Sequence, residues 1–306
     1  MKVLCIGGLG YIGSTLTDLL LESRDYKVTA MDTLRFGVDP DYLHRAMTHP
    51  RFRFVKEDVS DMRFTWDLVR NHDVVVYLAS LTMNDAAKNP EEALFVNRYM
   101  AEVVGDCCAK LGRRMVFMST CSNYGRSDQP VDENARLLPV SIYAQTKVDA
   151  ERYLARIPGI TILRCATAYG VGSNRTRWDV ILNNFVDRSL SEGLIDLFQP
   201  DAHRPVCHVA DISRAIELVV SAPANENRTY NVGSNSQNYT KKDLAELVCD
   251  ATGARIEITS REDSRDYTVD FSRIDKELGF RPQHTPESAL SDLILQWRKE
   301  HRAETG

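Results

Sequence analysis

The stretch KVLCIGGLGYIG, Lys2 to Gly13, decides the fold of this chain. Lys2–Ile6 is a short apolar run that predicts a buried β-strand, and glycines follow it at Gly7, Gly10 and Gly13. Because glycine lacks a Cβ, the chain can turn tightly here into a helix and leave room for a pyrophosphate at the helix N-terminus, where free N–H groups favour negative charge. The stretch predicts a strand, a phosphate-binding turn and a helix.

Short apolar runs and amphipathic segments continue to alternate through the first half of the chain. Five further strands are predicted at Lys27–Met31, Phe52–Lys56, Val74–Tyr77, Arg114–Met118 and Ile160–Arg164. The predicted helices are Ile12–Leu21, Asp61–Arg70, Pro90–Leu111 and Ser141–Ala155. This pattern predicts an α/β fold with a doubly wound parallel (Rossmann) sheet, which binds ligands beyond the carboxyl ends of its strands.

After Arg164 the alternation loosens, and no Pro/Gly/Ser-rich linker divides the chain. Helices are predicted at Trp178–Glu192, Ala210–Ser221, Lys241–Thr252 and Glu287–His301, with short strands near Ile195–Phe198 and Thr229–Val232. We predict a dinucleotide-binding domain over residues 1–168. Residues 169–306 should form mainly a smaller C-terminal substrate-binding lobe, with some segments returning to the Rossmann sheet.

Composition narrows the possible partners. The 306 residues are 43% hydrophobic and carry a net charge of −5 with both signs mixed, so no basic stripe for nucleic acid is expected. The seven cysteines form no C-x-x-C motif or Cys/His cluster with metal spacing, which predicts no metal site and reduced thiols in the cytoplasm. The first apolar run ends after four residues, too early for a signal peptide or a membrane span.

Glycines between a strand and a helix can also serve a purely steric purpose, so further residues must support a cofactor site. Asp32 stands at the end of the second predicted strand, nineteen residues past Gly13, where a carboxylate can bind a ribose diol and repel a 2′-phosphate. It favours NAD over NADP, although the nearby Arg35 favours the phosphate. Further candidates that follow the third and fourth strands are Asp58, Val59, Leu78, Ala79 and Ser80. Each could be an ordinary strand end, but their occurrence in order favours cofactor binding.

Tyr143 and Lys147 are four residues apart and should share one face of a helix. An ammonium beside a phenol lowers a pKa that is otherwise about 10, which would make Tyr143 a usable acid or base. The same spacing also fits two solvated side chains on an exposed helix. Thr120 favours the catalytic interpretation, because it follows a predicted strand at the cofactor edge and can bind the same reacting oxygen.

The motifs resemble those of the extended short-chain dehydrogenases/reductases, and specifically the NAD-dependent nucleotide-sugar epimerase/dehydratase group. The resemblance extends over nearly the whole chain and rests on GGLGYIG, EDVSD, YLAS, FVN, STCSNYG, YAQTK, LRCATAYG, RPVCHVADISRA, YNVG and RDY. It implies an enzyme that uses NAD and a nucleotide-diphosphate sugar. It also implies that Tyr143 is the catalytic base, that Lys147 lowers its pKa and holds the nicotinamide ribose, and that Thr120 is the hydroxyl partner.

The resemblance extends to binding residues and to assembly. Additional cofactor contacts are expected from Tyr11, Ile12 and Asn97, and substrate contacts from Thr82, Cys121, Ser122 and Thr167. The substrate diphosphate should meet Arg204, Arg265, Arg177 and Asn183, although Arg204 and Arg265 could instead be surface or interface arginines. A homodimer is expected through Pro90–Leu111 and Ser141–Ala155. Apolar positions there, such as Val103, Val104 and Val148, fit the interface or the core.

Two positions depart from the family pattern. Sugar-nucleotide 4,6-dehydratases resemble one another in having an acidic pair after the threonine, where this chain has Cys121 and Ser122. Ordinary 4,6-dehydration is therefore disfavoured, and Cys121 should border the sugar, either as a small lining group or as a proton carrier. Thr167 stands where many epimerases resemble one another in having asparagine, which leaves the details of the sugar pocket open.

The favoured function is an NAD-dependent epimerase of a nucleotide-diphosphate sugar that works through a transient 4-keto intermediate. A 4-dehydrogenase or 4-ketoreductase of a nucleotide-linked sugar or heptose is the first alternative, supported by RTRWDVILNNFV and RDYTV. A nucleotide-sugar dehydratase that uses Cys121 is the second. The third is a non-catalytic NAD-binding sensor, which has no need of the trio formed by Thr120, Tyr143 and Lys147.

Overall fold

The computed structural model describes residues 1–223, 228–261, 263 and 265–302. The strands are β1 (Lys2–Ile6), β2 (Lys27–Asp32), β3 (Phe52–Lys56), β4 (Val74–Tyr77), β5 (Arg114–Thr120), β6 (Ile160–Cys165), β7 (Thr167–Tyr169), β8 (Leu194–Phe198), β9 (His203–His208), β10 (Arg228–Val232), β11 (Asn238–Thr240) and β12 (Arg255–Thr259). The helices are α1 (Tyr11–Glu22), α2 (Pro40–Met47), α3 (Met62–Arg70), α4 (Met83–Lys88), α5 (Pro90–Leu94), α6 (Ala101–Leu111), α7 (Ile142–Leu154), α8 (Ile181–Glu192), α9 (Val209–Ser221), α10 (Lys241–Thr252), α11 (Ser272–Leu278) and α12 (Pro286–Arg302).

Seven strands form one parallel sheet in the order β3-β2-β1-β4-β5-β6-β10. The order reverses between β1 and β4, so a crevice opens beyond the carboxyl ends of these two strands. Alternate residues of β1 fill the cores on opposite faces, Val3 and Cys5 on one side and Leu4 and Ile6 on the other. Burial on both faces explains why the strands read as continuous apolar runs. The predicted doubly wound α/β fold is confirmed.

The C-terminal half builds two smaller sheets, β11-β9-β7 and β12-β8. Apolar side chains of β7, β8, α8, α10 and α12 pack into a separate core that includes Leu182, Ile195, Leu244 and Leu293. Strand β10 comes from the same half of the chain but pairs with β6 at the edge of the large sheet. The lobe therefore stands beside the carboxyl edge of that sheet, where it can supply the outer wall of a site.

Several element boundaries differ from those predicted from the sequence. The predicted helix Pro90–Leu111 is interrupted by a π-helical segment, Phe95–Met100, between α5 and α6. The predicted helix Trp178–Glu192 begins only at Ile181, because residues before it form a loop against the sheet domain. Amphipathic periodicity shows that a helix exists but does not locate a wider turn within it.

None of the helices in the described part of the chain is both long enough and apolar enough to cross a bilayer.

Candidate active site

Two glycines of the turn after β1, Gly7 and Gly13, could not be replaced by a larger residue without a clash with the backbone. A Cβ on Gly13 would lie 2.2 Å from the Gly7 carbonyl oxygen, and a Cβ on Gly7, whose φ is +81°, would lie 2.7 Å from the Ala79 amide nitrogen. A Cβ on Gly10 would meet nothing closer than 3.4 Å. The turn is thus packed tightly against α1 and the β4 loop while its Gly10 side is open, which fits the approach of a dinucleotide pyrophosphate.

A loop from the second half of the chain holds this turn in place. The Asn174 side chain donates to the Leu9 carbonyl at 2.6 Å and accepts from the Asp39 amide at 2.8 Å. The Tyr11 hydroxyl donates to the Gly170 carbonyl at 2.6 Å, and its buried ring packs against Gly172. Tyr11 therefore joins the turn to the loop after β7. Its predicted contact with the cofactor remains a prediction, as does that of Ile12, which lines the cavity described below.

Asp32 ends β2 beside the glycine turn. Its carboxylate accepts from the Leu9 amide at 3.0 Å and from the Leu34 amide at 2.9 Å, so both oxygens are fixed in position. Arg35 forms an ion pair with Glu92. Since the guanidinium already has an acidic partner, this geometry supports the ribose-binding role of Asp32 more than a 2′-phosphate site at Arg35.

The residues that follow β3 and β4 occupy different depths. Asp58 is exposed and accepts from the Ser60 amide, and Val59 is buried in the core. Leu78 and Ser80 line the cavity, and Ala79 packs against Gly7. Asn97 is fully buried: its side-chain oxygen accepts from the Leu81 amide and the Ser80 hydroxyl, and its amino group donates to the Leu81 carbonyl and the Thr146 hydroxyl. Through these hydrogen bonds Asn97 positions the Ser80 segment, and its predicted contact with the cofactor remains a prediction.

A cavity of about 550 Å³ runs from the end of the large sheet into the C-terminal lobe. The predicted residues that line it are Ile12, Leu78, Ser80, Thr82, Thr120, Ser122, Tyr143, Lys147, Thr167, Arg177, Arg204 and Arg265. We call the part around Tyr143 the reacting end and the part around Arg204 the far end. The structure thus brings together the predicted catalytic residues and most of the predicted substrate residues in one site.

Tyr143 and Lys147 share the buried face of α7, as their spacing predicts. Burial raises the pKa of the Tyr143 phenol to about 12, while the positive charge of Arg177 and a hydrogen bond with Thr120 act to lower it. Burial lowers the pKa of Lys147 to about 7, and its ammonium donates to the Met118 carbonyl at 2.9 Å. The positive side chain with the largest effect on the Tyr143 pKa is therefore Arg177. The role predicted for Lys147 in lowering that pKa remains a prediction.

Cys121 does not border the cavity, contrary to the expectation from its place after Thr120. Its side chain is 1% exposed, lies in the sheet core and donates to the Arg164 carbonyl at 3.2 Å. Burial holds the pKa of the thiol well above its usual range. The prediction was wrong because a 3₁₀ turn, Cys121–Tyr124, follows β5 and points adjacent residues in different directions, so Ser122 lines the cavity instead. This position speaks against a dehydratase that uses Cys121 as a proton carrier.

Asn183 is a second correction. It is fully buried, accepts from the Gly170 amide at 3.0 Å and donates to the Gly170 and Arg177 carbonyls at 3.2 and 2.9 Å. Its amide therefore fixes the loop that carries Arg177 instead of binding substrate. The adjacent Asn184 lines the cavity, a difference of one residue that depends on where α8 begins.

At the far end, Asp263 gathers the two predicted diphosphate arginines. Its carboxylate accepts from Arg204 at 2.6 Å and from Arg265 in a bidentate pair at 2.9 and 2.8 Å. Arg204 also donates to the His203 and Arg265 carbonyls, each at 2.6 Å. Burial raises the pKa of Asp263, but the hydrogen bonds and charge of Arg265, followed by the charge of Arg204, lower it below its usual range. Arg204 is buried, so it is neither a surface nor an exposed interface residue.

Several lining residues were not predicted from the sequence. They include Met83, Asn84, Asp179, Asn184, Phe185, Arg188, Asp196, Phe198, Lys241, Arg261 and Asp263. Five of these eleven lie on loops or on the short strand β8, where periodicity carries little information, and six lie on helices, where periodicity does not show which face lines a cavity. One signal was available: Thr240 and Asp243 have the spacing of a capping box, which the structure contains, and this places Lys241 in the first turn of α10.

Comparisons with known proteins agree with this geometry. A family model described as the NAD dependent epimerase/dehydratase family matches residues 3–233. A dTDP-glucose 4,6-dehydratase from Actinoplanes sp. is 28% identical over 97% of this chain and 98% of that protein. A UDP-glucose 4-epimerase from Lactobacillus helveticus is 25% identical over 98% of each chain. The crystal structure of DesIV, a dTDP-glucose 4,6-dehydratase from Streptomyces venezuelae solved with NAD bound, has a TM-score of 0.86 and 25% identity over 99% of this chain and 98% of its own.

Epimerases and dehydratases both occur among these relatives, so the comparisons identify the family and not the reaction. The hypothesis of a non-catalytic sensor is set aside, because the family and its relatives are enzymes. This chain belongs to the NAD-dependent epimerase/dehydratase family and is an extended short-chain dehydrogenase/reductase whose cofactor is NAD.

Proposed function

We propose that this protein is an epimerase that inverts C4 of a nucleotide-diphosphate sugar through a transient 4-keto sugar. The observation that carries the proposal is the chemistry of the reacting end. Tyr143 lies there with the hydroxyls of Thr120, Ser122 and Thr167, and the described lining residues provide no unpaired carboxylate. Hydroxyls can hold and exchange the protons of a sugar alcohol, and this is what a reversible oxidation at one carbon requires of the protein when NAD accepts and returns the hydride.

Tyr143 is the proposed acid and base. In the first step its phenolate oxygen takes the proton of the C4 hydroxyl and becomes the phenol, while the C4–H bond breaks as hydride and the C–O bond becomes a carbonyl. Bound NAD supplies the hydride acceptor for this step and the hydride donor for the return. Thr120 hydrogen-bonds with Tyr143 and can hold the same sugar oxygen. After the keto sugar turns over, Tyr143 returns its proton to the oxygen, and the net reaction changes only the configuration at C4.

Dehydration would need further groups, since a base must remove the C5 proton and an acid must protonate the departing C6 hydroxyl. The lining carboxylates among the described residues are Asp179, Asp196 and Asp263, and each has an arginine partner: Arg177, Arg261 and the Arg204/Arg265 pair, respectively. Ser122 is a poor acid, and Cys121 lies in the core. These observations favour epimerisation over the reaction of the dehydratase relatives.

The diphosphate of the substrate is proposed to lie at the far end, against Arg204 and Arg265. Planar guanidinium groups donate several hydrogen bonds to phosphate oxygens, and Asp263 fixes both in orientation. Thr82, Ser122, Thr167 and Arg177 would then surround the sugar, between the diphosphate and Tyr143.

The test is to incubate the purified protein with a panel of nucleotide sugars, with and without added NAD, and to read the product configuration by NMR. We expect a mixture of C4 epimers without net formation of NADH, and no product from the Tyr143→Phe variant. A keto sugar that accumulates with NADH would instead identify a 4-dehydrogenase. A 4-keto-6-deoxy product would contradict the proposal and identify a dehydratase.

A further inference from the structure

Lys241 is a buried cation in an unusual position. It is the first residue of α10, its side chain is 4% exposed, and it lines the far end of the cavity. Its ammonium donates to the Phe198 carbonyl at 3.2 Å and lies 3.8 Å from the centre of the Phe198 ring. Its acidic neighbour is Asp263, at 3.5 Å. Removing an ammonium from water is costly unless a nearby negative charge compensates it.

That compensation is incomplete within the described residues. Asp263 is the same carboxylate that holds Arg204 and Arg265, so three positive side chains share one negative charge and two positive charges remain. The other arginines at the cavity wall have acids of their own: Arg177 pairs with Asp179, Arg188 with Glu192 and Arg261 with Asp196. Among the described residues, the excess of positive charge is therefore concentrated around Asp263.

Three positive side chains around one carboxylate repel one another, which destabilises the site when it is empty. An anion with two negative charges would compensate the two positive charges that remain. The electrostatics agree with the geometry: burial, followed by the charge of Arg204, lowers the pKa of Lys241 to about 8. Burial and the charge of Arg265 likewise lower the pKa of Arg204. The helix itself does not require the ammonium, since the capping box of Thr240 and Asp243 already satisfies the first turn of α10.

We propose that Lys241 is a third cation of the substrate-diphosphate subsite, and that Asp263 is the positioning carboxylate that holds Lys241, Arg204 and Arg265 around the two phosphates. This inference deepens the proposed function and rests on it. The diphosphate of a nucleotide sugar bears two negative charges, which match the excess of the cluster. Lys241 contributes through its charge, whereas the guanidinium groups also supply oriented pairs of donors.

The test compares Lys241→Met with Lys242→Met in the NAD-loaded protein. Methionine keeps the unbranched stem and removes the charge. Lys242 is the adjacent residue, but it is exposed and pairs with Glu246 at 3.7 Å, so its variant removes the same charge from the surface. Calorimetric titration with UDP, dTDP, CDP, ADP and GDP measures the affinity. We expect Lys241→Met to weaken binding of the preferred nucleotide about tenfold to a hundredfold, and Lys242→Met to leave it unchanged.

The pH dependence of binding separates charge from structure. Arg204 and Arg265 remain cationic and Asp263 remains anionic near neutrality, so of these four groups only Lys241 titrates between about pH 7 and pH 9. A bound diphosphate favours the ammonium, so binding takes up a proton and the affinity of the unaltered protein should fall as the pH rises through about 8. Lys241→Met should lack this fall.

The outcomes are distinguishable. Equal nucleotide affinity in Lys241→Met and the unaltered protein, or a flat affinity over this pH range in the unaltered protein, would overturn the inference and leave the proposed function standing. Failure of the unaltered protein to bind any of the five nucleotides would overturn both. Retained NAD binding and a single cooperative thermal transition show that Lys241→Met is folded. If the variant does not fold, the pH dependence of nucleotide binding by the unaltered protein decides the question.

Discussion

Tyr143 lies in a site that opposes its ionisation, because burial raises its pKa to about 12. An adjacent cation, Arg177, and the Thr120 hydroxyl partly offset this burial. Phenylalanine at this position would keep the ring packing and remove the hydroxyl that is proposed to take and return the proton. We expect Tyr143→Phe to reduce kcat by about a hundredfold to ten-thousandfold while NAD binding remains. Turnover assays and NAD titration measure the two effects, and near-normal turnover would exclude Tyr143 from the mechanism.

Asp32 should select NAD through its charge. Its carboxylate also accepts from the Leu9 and Leu34 amides, so alanine would disturb the turn as well as the ribose contact. Asp32→Asn keeps the shape and one of the two acceptor oxygens while it removes the negative charge, so it should disturb the turn less than alanine does. We expect Asp32→Asn to weaken NAD binding about tenfold and to reduce the discrimination against NADP. Tighter binding of NADP than of NAD by the unaltered protein would refute this assignment.

Cys121 should be dispensable for the chemistry. Its thiol is buried, has a raised pKa and already donates to the Arg164 carbonyl. Serine can make the same hydrogen bond, so we expect Cys121→Ser to keep most of the activity and to lose no more than about 1 kcal/mol of stability. The reaction run in deuterated water provides the check, since a returning hydride leaves carbon-bound hydrogens unexchanged. Deuterium at C3 or C5 that disappears in Cys121→Ser would contradict this prediction.

The residues that the sequence locates well are those fixed by short local geometry. The spacing of Tyr143 and Lys147 predicts a shared helix face, and Asp32 follows from its distance to the glycines, so both lie where expected. How deeply a side chain is buried and which way it points depend on tertiary contacts and not on the neighbouring sequence. Cys121 and Asn183 are turned away from the cavity by a 3₁₀ turn and by the start of α8, and Lys241 faces it because the lobe folds back. Single-sequence patterns carry no information about these tertiary contacts.

At the scale of elements, the β1–α1 turn determines how closely a strand, a helix and a cofactor can meet. A Cβ on Gly13 would lie 2.2 Å from the Gly7 oxygen, which is backbone and cannot rotate away. Gly10 has space for a Cβ, so Gly10→Ala is a matched control in the same turn. In chemical denaturation without added NAD, we expect Gly13→Ala to lose about 1–3 kcal/mol and Gly10→Ala to stay within about 0.5 kcal/mol. Equal stabilities of the two variants would show that the turn can relax.

Elements that cross between the halves of the chain explain what the sequence could not predict. The six strands of the first half were predicted within two residues at each end, because each is a buried apolar run with its own turn signals. The course of the loop after β7 was not predicted, although Asn174 in this loop fixes the glycine turn and Arg177 influences the Tyr143 pKa. Its residues have no periodicity, and their roles depend on partners far away in the sequence.

At the scale of the whole molecule, the two ends of the cavity are built by different parts of the chain and differ in chemistry. The sheet domain supplies Tyr143 and Thr120 at the reacting end, and the lobe supplies Arg204 and Lys241 at the far end. A substrate that spans the cavity must therefore carry its reacting sugar and its anionic group at a fixed separation. The proposed reacting residues and the proposed anion-binding residues therefore come from different parts of the fold.

The outer surface of the sheet domain exposes several large hydrophobic side chains. Phe95, Tyr99, Ile142 and Tyr153 are exposed large hydrophobic side chains on the π-helical segment and α7, at 42%, 44%, 44% and 38% exposure. The valines that the sequence suggested for an interface do not belong to this surface. Val104 and Val148 are buried in the core, and Val103 packs against it. Apolar side chains clustered on two neighbouring helical elements favour association with a second copy of the same surface.

We expect a homodimer that Phe95→Glu combined with Tyr99→Glu converts to a monomer, because four glutamates would then face one another across an apolar interface. Light scattering after size-exclusion chromatography measures the mass. Leu295→Glu is the matched control: Leu295 is an equally apolar, 68% exposed residue on α12, far along the chain from this surface, and the variant should remain dimeric. A monomeric unaltered protein, or a double variant that still dimerises, would contradict the prediction. The double variant should also keep its NAD affinity, because the interface residues do not line the cavity.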